Sequence, residues 1–201
     1  MKKQYLIILS TLIFGLQTAI AQESFRLDER NSEIIVEGTS SVHDWEMTAT
    51  EMSASIKLSL EENKIKDIVN VDFSMPTEKL ESDNSIMNRK SWDALRSKKH
   101  ESILFDLNTV TGFSINGRTF SGTASGSLVI AGKSKQVTIP FTGNIKTGNT
   151  ITVTGQEKIN MKDFNVSPPT AMLGTLKTGE EVTVKFNMDF VSESQYTELL
   201  Q

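Results

Sequence analysis

Between Glu181 and Phe190 the chain alternates without a fault: Val182, Val184, Phe186, Met188 and Phe190 are separated by Thr183, Lys185, Asn187 and Asp189. Successive side chains on a strand point to opposite faces, so this pattern buries one face and wets the other. That requirement is met by antiparallel sheet and excludes a helical or doubly covered parallel architecture. The same rhythm returns at Val69, Val71, Phe73 and Met75, at Ile103, Phe105 and Leu107, at Val137, Ile139 and Phe141, and at Ile151 and Val153. Around Trp45 it changes phase: Trp45, Met47 and Ala49 share one parity, Met52, Ala54, Ile56 and Leu58 the other. A β-bulge near Thr50 or Glu51 repairs such a mismatch.

Turn chemistry separates these runs. Asn63, Asn116-Gly117, Ala131-Gly132-Lys133 and Gly148-Asn149 each fall between two strand patterns, as tight hairpins require. The strands read as 24–28 with 32–39, then 45–59, 64–75, 102–114, 118–130, 135–146, 150–161 and 181–191, roughly eight in all, the first pair counting as one if it is a single interrupted strand. Long hairpin-linked strands favour an all-β, single antiparallel closed barrel, which leaves no exposed edge, over a two-sheet sandwich. One segment departs: Ser85 to Lys99 sets Ile86, Met87, Trp92 and Leu95 among charged residues and predicts an inserted short α-helix, capped by Asp83 or Ser85, with Lys98 and Lys99 suiting its C-terminal end. Asn165 to Gly179 contains Pro168-Pro169 and then Ala171-Met172-Leu173, and reads as a loop with one helical turn.

The first 21 residues predict export. Lys2-Lys3, the apolar stretch from Leu6 to Phe14 and the closing Ala19-Ile20-Ala21 have the form of a secretory signal peptide (residues 1–21) cleaved after Ala21. The expected mature domain is 22–201, periplasmic or secreted. No later apolar run is long enough to span a bilayer, so an integral membrane protein is not expected. The mature portion carries 19 basic and 25 acidic side chains and no basic run, which leaves no footprint for nucleic acid. Cysteine is absent, which removes disulfides, a cysteine-linked lipid anchor and cysteine-ligated metals. A homodimer is compatible with the sequence, which does not specify oligomeric state.

Catalytic signals are weak. His43 and His100 are the only histidines and lack a paired metal-binding spacing. His43 and Asp44 are strand neighbours and point apart. No Gly-x-Ser-x-Gly sits between a strand and a helix. The residues thus predict no catalytic site, no metal site and no cofactor, with His43 packed or hydrogen-bonded at a barrel end and His100 in solvent. One carboxylate is anomalous: Glu157 shares the inward parity of Ile151, Val153, Ile159 and Met161. Either it is a polar feature inside a tunnel, or a bulge near Gly155 turns it outward; the bulge is the favoured alternative, because an inward carboxylate is costly.

Strand 118–130 bears on what the barrel encloses. Thr119, Ser121, Thr123, Ser125 and Ser127 form a polar face; the other face reads Phe120, Gly122, Ala124, Gly126, Leu128 and Ile130. An eight-stranded barrel is just wide enough to be filled by side chains or to hold one small ligand. Three tiny inward residues in a row either leave space or relieve crowding where strands bend. Elsewhere the inward set is rich in Phe and Met, namely Met47, Phe73, Met75, Phe105, Phe141, Met161, Phe186, Met188 and Phe190. Methionine adapts its shape to a flexible apolar chain, though it also fills ordinary cores.

Several stretches together resemble the YceI family: Phe25-Arg26-Leu27-Asp28 with Ser32, Gly38 to Trp45, and Asn88 to Phe105 with Trp92, Leu95 and Ile103-Leu104-Phe105. Gly126 to Lys133, Val137-Thr138-Ile139-Pro140 and Ile159 to Phe164 continue the likeness, which covers essentially the whole mature chain. Asp163-Phe164-Asn165 stands where the family's Asp-Phe-Gly is expected, and asparagine tolerates the left-handed backbone of that turn. His43-Asp44-Trp45 stands where many members have glycine and an aromatic. The resemblance implies a lipocalin-like barrel that binds an apolar lipid, a polyisoprenoid or fatty chain, in a tunnel, and does not imply an enzyme. The expected ligand contacts are the inward Phe and Met set with Trp45, Trp92, Leu95, Phe120, Gly122, Ala124, Gly126, Phe164 and Met172. The alternative is a structural or stress-related interaction protein with a packed barrel and no ligand.

Overall fold

The structure, a computed structural model, describes residues 21–61, 64–147, 150–171 and 176–199. Its strands are β1 (Ala21–Leu27), β2 (Glu33–Ser40), β3 (Trp45–Ala49), β4 (Ser53–Glu61), β5 (Lys64–Pro76), β6 (Leu80–Glu81), β7 (Ser102–Asn116), β8 (Thr119–Ile130), β9 (Lys133–Ile145), β10 (Thr150–Asn160), β11 (Thr170–Ala171) and β12 (Leu176–Ser192). Two helices complete it, α1 (Ser85–Leu95) and α2 (Glu193–Leu199). Hydrogen bonding runs β1-β4-β5-β7-β8-β9-β10-β12, and β12 pairs back onto β1, closing a ring of eight antiparallel strands.

The remaining inner strands are continuations of this ring. β12 bonds β1 through Phe190–Ser192 and β2 through Thr178–Asn187, so β1 and β2 lie end to end along one edge of it. In the same way β3 pairs with β2 and β6 with β3, extending β4 and β5. The chain thus breaks three long strands at 28–32, 50–52 and 77–79, and the broken segments satisfy one another. The Thr50 amide donates to the Lys79 carbonyl at 2.8 Å, and the Met52 amide to a Glu29 carboxylate oxygen at 2.7 Å. The phase change near Thr50 is therefore resolved by an interruption of the strand, and Met47, Ala49, Met52, Ile56 and Leu58 are all buried.

Bulges adjust the other strands. In β5 the register slips between Leu58–Ile68 and Lys57–Asn70, which buries Ile68 and turns Val69 out to solvent, against the parity drawn from the sequence. β7 slips twice against β8, the second time at Gly112, whose φ is +62°. β10 has no such irregularity: it pairs with β12 without a shift from Thr150 to Asn160, so the bulge expected near Gly155 is absent and Glu157 faces inward. On its other edge β10 meets β9 only from Ile151 to Gly155. That ladder stops beside Pro140, which has no N–H to donate.

Other expectations are corrected locally. α1 ends at Leu95, with Arg96 left-handed, and its cap is Asn84, whose side-chain oxygen accepts from Ile86 and Met87 at 2.9 and 3.1 Å, rather than Asp83 or Ser85. α2 was not expected; its Glu193 pairs with Arg26 at 3.0 Å, and the Arg26 guanidinium lies over Tyr196. β12 begins at Leu176, five residues before the clean alternation, and pairs there with β11 inside the stretch read as a loop; residues 172–175 of that stretch lie outside the described residues. His100 is half-buried against the Gly132 turn instead of lying in solvent. The turns at Asn63 and Gly148-Asn149, and residues 1–20, lie outside the described residues. At Ala131-Gly132 both residues have positive φ, 50° and 77°, as a two-residue hairpin demands. Asn165 takes the left-handed position expected of it, φ 54°.

Inside the ring, aromatic side chains lie over glycines on the neighbouring strand. Trp45 covers Gly38, Phe141 covers Gly122, Phe120 covers Gly143 and Phe186 covers Gly155, each directly opposite in register, while Phe105 reaches Gly126 diagonally. A Cβ built on Gly122 would lie 2.9 Å from the Phe141 ring, and one on Gly126 2.5 Å from the Phe105 ring. Gly122 and Gly126 of β8 are therefore seats for rings, neither open space nor simple bend relief, while Ala124 between them faces the interior. Gly143→Ala places a methyl inside the Phe120 ring, which is 1 % exposed. Urea unfolding of this variant is expected to show a loss of about 1–3 kcal/mol from overpacking; an unchanged midpoint would contradict the seat.

Candidate functional site: an apolar cavity

The barrel is closed at one end and hollow towards the other. At the closed end, where β4, β8 and β10 meet their hairpins, Leu58, Phe120 and Ile151 are almost wholly buried. Phe120 stands edge-on to Phe141 at 6.3 Å and tilted to Phe113 at 5.9 Å, and these rings build the floor. Above them lies a cavity of about 510 Å³, within the range of small-molecule sites. Its mouth is framed by the loop of Val42 and His43, by α1, and by the segment from Phe164 to Thr170.

Thirteen of the residues singled out from the sequence line this cavity. Met47, Phe73, Met75, Phe105, Ala124 and Phe141 do so from β3, β5, β7, β8 and β9. Phe186, Met188 and Phe190 come from β12, and Trp45, Leu95, Met161 and Phe164 from the mouth side. The indole N–H of Trp45 donates to the Thr39 carbonyl at 3.0 Å, which fixes the ring against Gly38.

Four others lie elsewhere. Trp92 faces away from the cavity, its indole N–H donating to the Leu80 carbonyl at 3.0 Å, so it pins α1 to β6. Gly122 and Gly126 are covered by Phe141 and Phe105, and Phe120 is packed within the floor, outside the cavity lining. Met172 lies outside the described residues. The sequence reading missed Met87, Ser91 and Ala94 as cavity contacts; with Leu95 they form the helix face that roofs the cavity, and their spacing of four, three and one was the available signal. Ser91 holds this face down, its hydroxyl 3.2 Å from the sulfur of Met47. Also missed were Ile34, Val36 and Val110, β-branched residues whose inward parity was legible once the breaks and bulges were known.

Polar groups are few and mostly at the rim. His43 is exposed there, its Nδ1 within 2.7 Å of the Asp44 carbonyl oxygen, and Lys90 and Lys177 stand at the same end. Lys90 donates to the carbonyl of Thr170 at 2.5 Å, tying α1 to β11 across the mouth. Val42 and Ile86 are 63 % and 57 % exposed, so the rim is partly apolar. Deeper in, Glu157 projects from β10 between Val153 and Ile159, opposite Val184. Loss of hydration pushes its carboxyl above the usual carboxylate range. Among the described residues no three His, Asp or Glu side chains converge to hold a metal ion, and no helix is long and apolar enough to cross a membrane.

The sign of the Glu157 effect gives a test. A raised carboxyl pKa means that ionising the group opposes the folded state, so the cost applies above the folded value and vanishes below the unfolded value of about 4.5. Glu157→Gln is expected to raise unfolding stability at neutral pH, the gain shrinking as pH falls and gone below about 4.5. Denaturation series across pH would contradict this if the gain were constant.

A closed eight-stranded antiparallel barrel around an apolar cavity, with a short helix at its mouth, defines a protein of the lipocalin-like class. The sequence model for the YceI-like domain matches residues 25–190, and the chain belongs to that family. No curated protein matches it. Among solved structures, a polyisoprenoid binding domain from Saccharophagus degradans implicated in plant cell wall breakdown aligns with a TM-score of 0.67 at 12% identity, covering 85% of this chain and 99% of that one. BcnA from Burkholderia cenocepacia aligns at 0.65 with 20% identity, over 81% and 98% of the two chains. The YCEI protein of Campylobacter jejuni aligns at 0.54 with 16% identity, over 71% and 81%. At these identities the likeness is one of fold.

Proposed function

We propose that this protein is an exported binding protein that takes up an apolar lipid, an isoprenoid or fatty chain, in the barrel interior. The observation that carries the reading is the cavity itself: about 510 Å³ lined by Phe, Met, Ile and Val side chains, with polar groups concentrated at its rim. Burying roughly ten methylenes at ~0.8 kcal/mol each would contribute about 8 kcal/mol before ordering costs. A chain of that kind needs no specific polar contact to bind. The family, and the polyisoprenoid binding domain of the same fold, support this class of ligand.

Export rests on the signal-like first 21 residues. Cleavage after Ala21 would remove one pairing, Ala21 with Leu60, and leave β1 bonded to β4 from Gln22 onward. Catalysis is not part of the reading: the imidazole of His43 lies against a main-chain carbonyl at the rim, and Glu157 has neither a histidine nor a serine as hydrogen-bond partner among the described residues.

Ala124 offers the test. It lines the cavity on β8 between Val110 of β7 and Ile139 of β9. Ala124→Leu is expected to cost the ligand-free fold less than about 1 kcal/mol, since the added carbons enter space, where a packed core would lose about 1–3. Uptake of a sixteen-carbon fatty chain, read by calorimetry and by mass spectrometry of solvent extracts, is expected to fall at least tenfold. Thr123→Leu, on the opposite face of the same strand, is expected to change neither. Unfolding by Ala124→Leu, or unchanged uptake, would contradict the proposal.

A further inference from the structure

Glu157 is the one acidic side chain that lines the cavity among the described residues. Its neighbours on β10 use their charges elsewhere: Lys158, on the outer face, pairs with Glu181 at 2.9 Å. Glu157 takes no part in any of the eight ion pairs of the described residues, nor in any side-chain hydrogen bond they make.

Its depth follows from the registers. Glu157 is opposite Val184, Val184 is opposite Val36, and Val36 is opposite Met47, which is 2 % exposed. This level lies one inward step below the layer of Ile159, Val182 and Trp45 at the mouth, and one above the Phe186 ring seated on Gly155. The carboxylate is therefore at mid-depth, facing apolar side chains. Lys90, Lys177 and His43, the cationic or titratable groups of the same cavity, belong to the rim segments and not to this layer.

A half-buried carboxylate with no partner is a cost to the fold. Leucine or valine at this position would remove that cost and complete the apolar lining. A lining that served only hydrocarbon would have no use for the group. A carboxylate can accept hydrogen bonds but, when ionised, cannot donate them. We infer that Glu157 is a specificity-determining residue, which accepts a hydrogen bond from a hydroxyl on the bound amphiphile and so selects chain alcohols over chains whose polar end only accepts. The inference rests on the binding function proposed above and adds the chemistry of the ligand's polar group. The hydrocarbon lies along the Phe and Met lining while its hydroxyl sits at the Glu157 level, in the part of β10 that has no β9 neighbour.

Two probes separate this from binding in general: farnesol, which carries a terminal hydroxyl, and farnesyl methyl ether, in which that donor is capped. Calorimetric titration of the protein at neutral pH is expected to show farnesol at least tenfold tighter, since hydrogen bonds to charged groups are the stronger kind. In Glu157→Leu the order is expected to invert, because the ether gains an apolar wall while the alcohol loses its acceptor. The folded state of that variant is checked by its unfolding midpoint, expected to rise. Equal affinities for both probes in the parent protein, or a preference that survives in Glu157→Leu, would overturn the assignment while leaving chain binding intact. Failure of both probes to bind would overturn it together with the proposed function.

Discussion

The structure depends on the two edges of β12. One edge bonds β10 from Val191 to Glu181; the other is shared end to end by β1 and β2, with the Asp28–Ser32 segment crossing the seam. At that seam the Ser32 hydroxyl accepts from the Asp189 amide at 2.9 Å, and the Asp28 amide donates to the Asp189 carbonyl at 2.8 Å. Asp189 in turn holds Lys146 and Thr152 through its carboxylate, at 2.8 and 2.6 Å. Closure is what gives every central strand two neighbours, and it is also what turns an alternating apolar face into the wall of an enclosed space.

A barrel of this size must reconcile a void with a stable interior. Here the two are divided along the axis. The floor is packed by Leu58, Phe120 and Ile151, and the Phe rings above it are held upright by the glycines they cover. Because each ring occupies its neighbour's missing side-chain volume, the lining can be aromatic without filling the lumen. The space thus left is bounded by adaptable methionines and closed over by α1, itself pinned through Trp92 to Leu80 and through Ser91 to Met47. The surface ion pairs, nearly all between well-exposed groups, contribute little by comparison.

Much of this was legible in the sequence because period two is a local property. The alternation of Val182 to Phe190 needs no knowledge of partners to assign its faces, and most of the cavity wall follows from it. What could not be read depends on which strand lies beside which. Gly122 and Gly126 look like gaps until the rings of Phe141 and Phe105 are known to lie across from them. The burial of Ile68 in place of Val69 follows from a slip against β4, and the break at Thr50 from groups supplied by Lys79 and Glu29. Glu157 is instructive in the opposite direction. Its inward parity is plain in the sequence, and the bulge that energetics favour would turn a costly carboxylate outward; the unbroken β10–β12 register shows that no such bulge forms.

The central claim is that an apolar chain enters this cavity, and the methionines can report it. Met47, Met75, Met87, Met161 and Met188 line the space, whereas Met52 is buried outside it. With carbon-13 in the methionine methyls, titration with a sixteen-carbon fatty chain should shift the lining signals and give contacts from them to chain protons, with Met52 left in place. Lining signals that stay fixed at saturating ligand, or contacts confined to surface groups, would contradict the account.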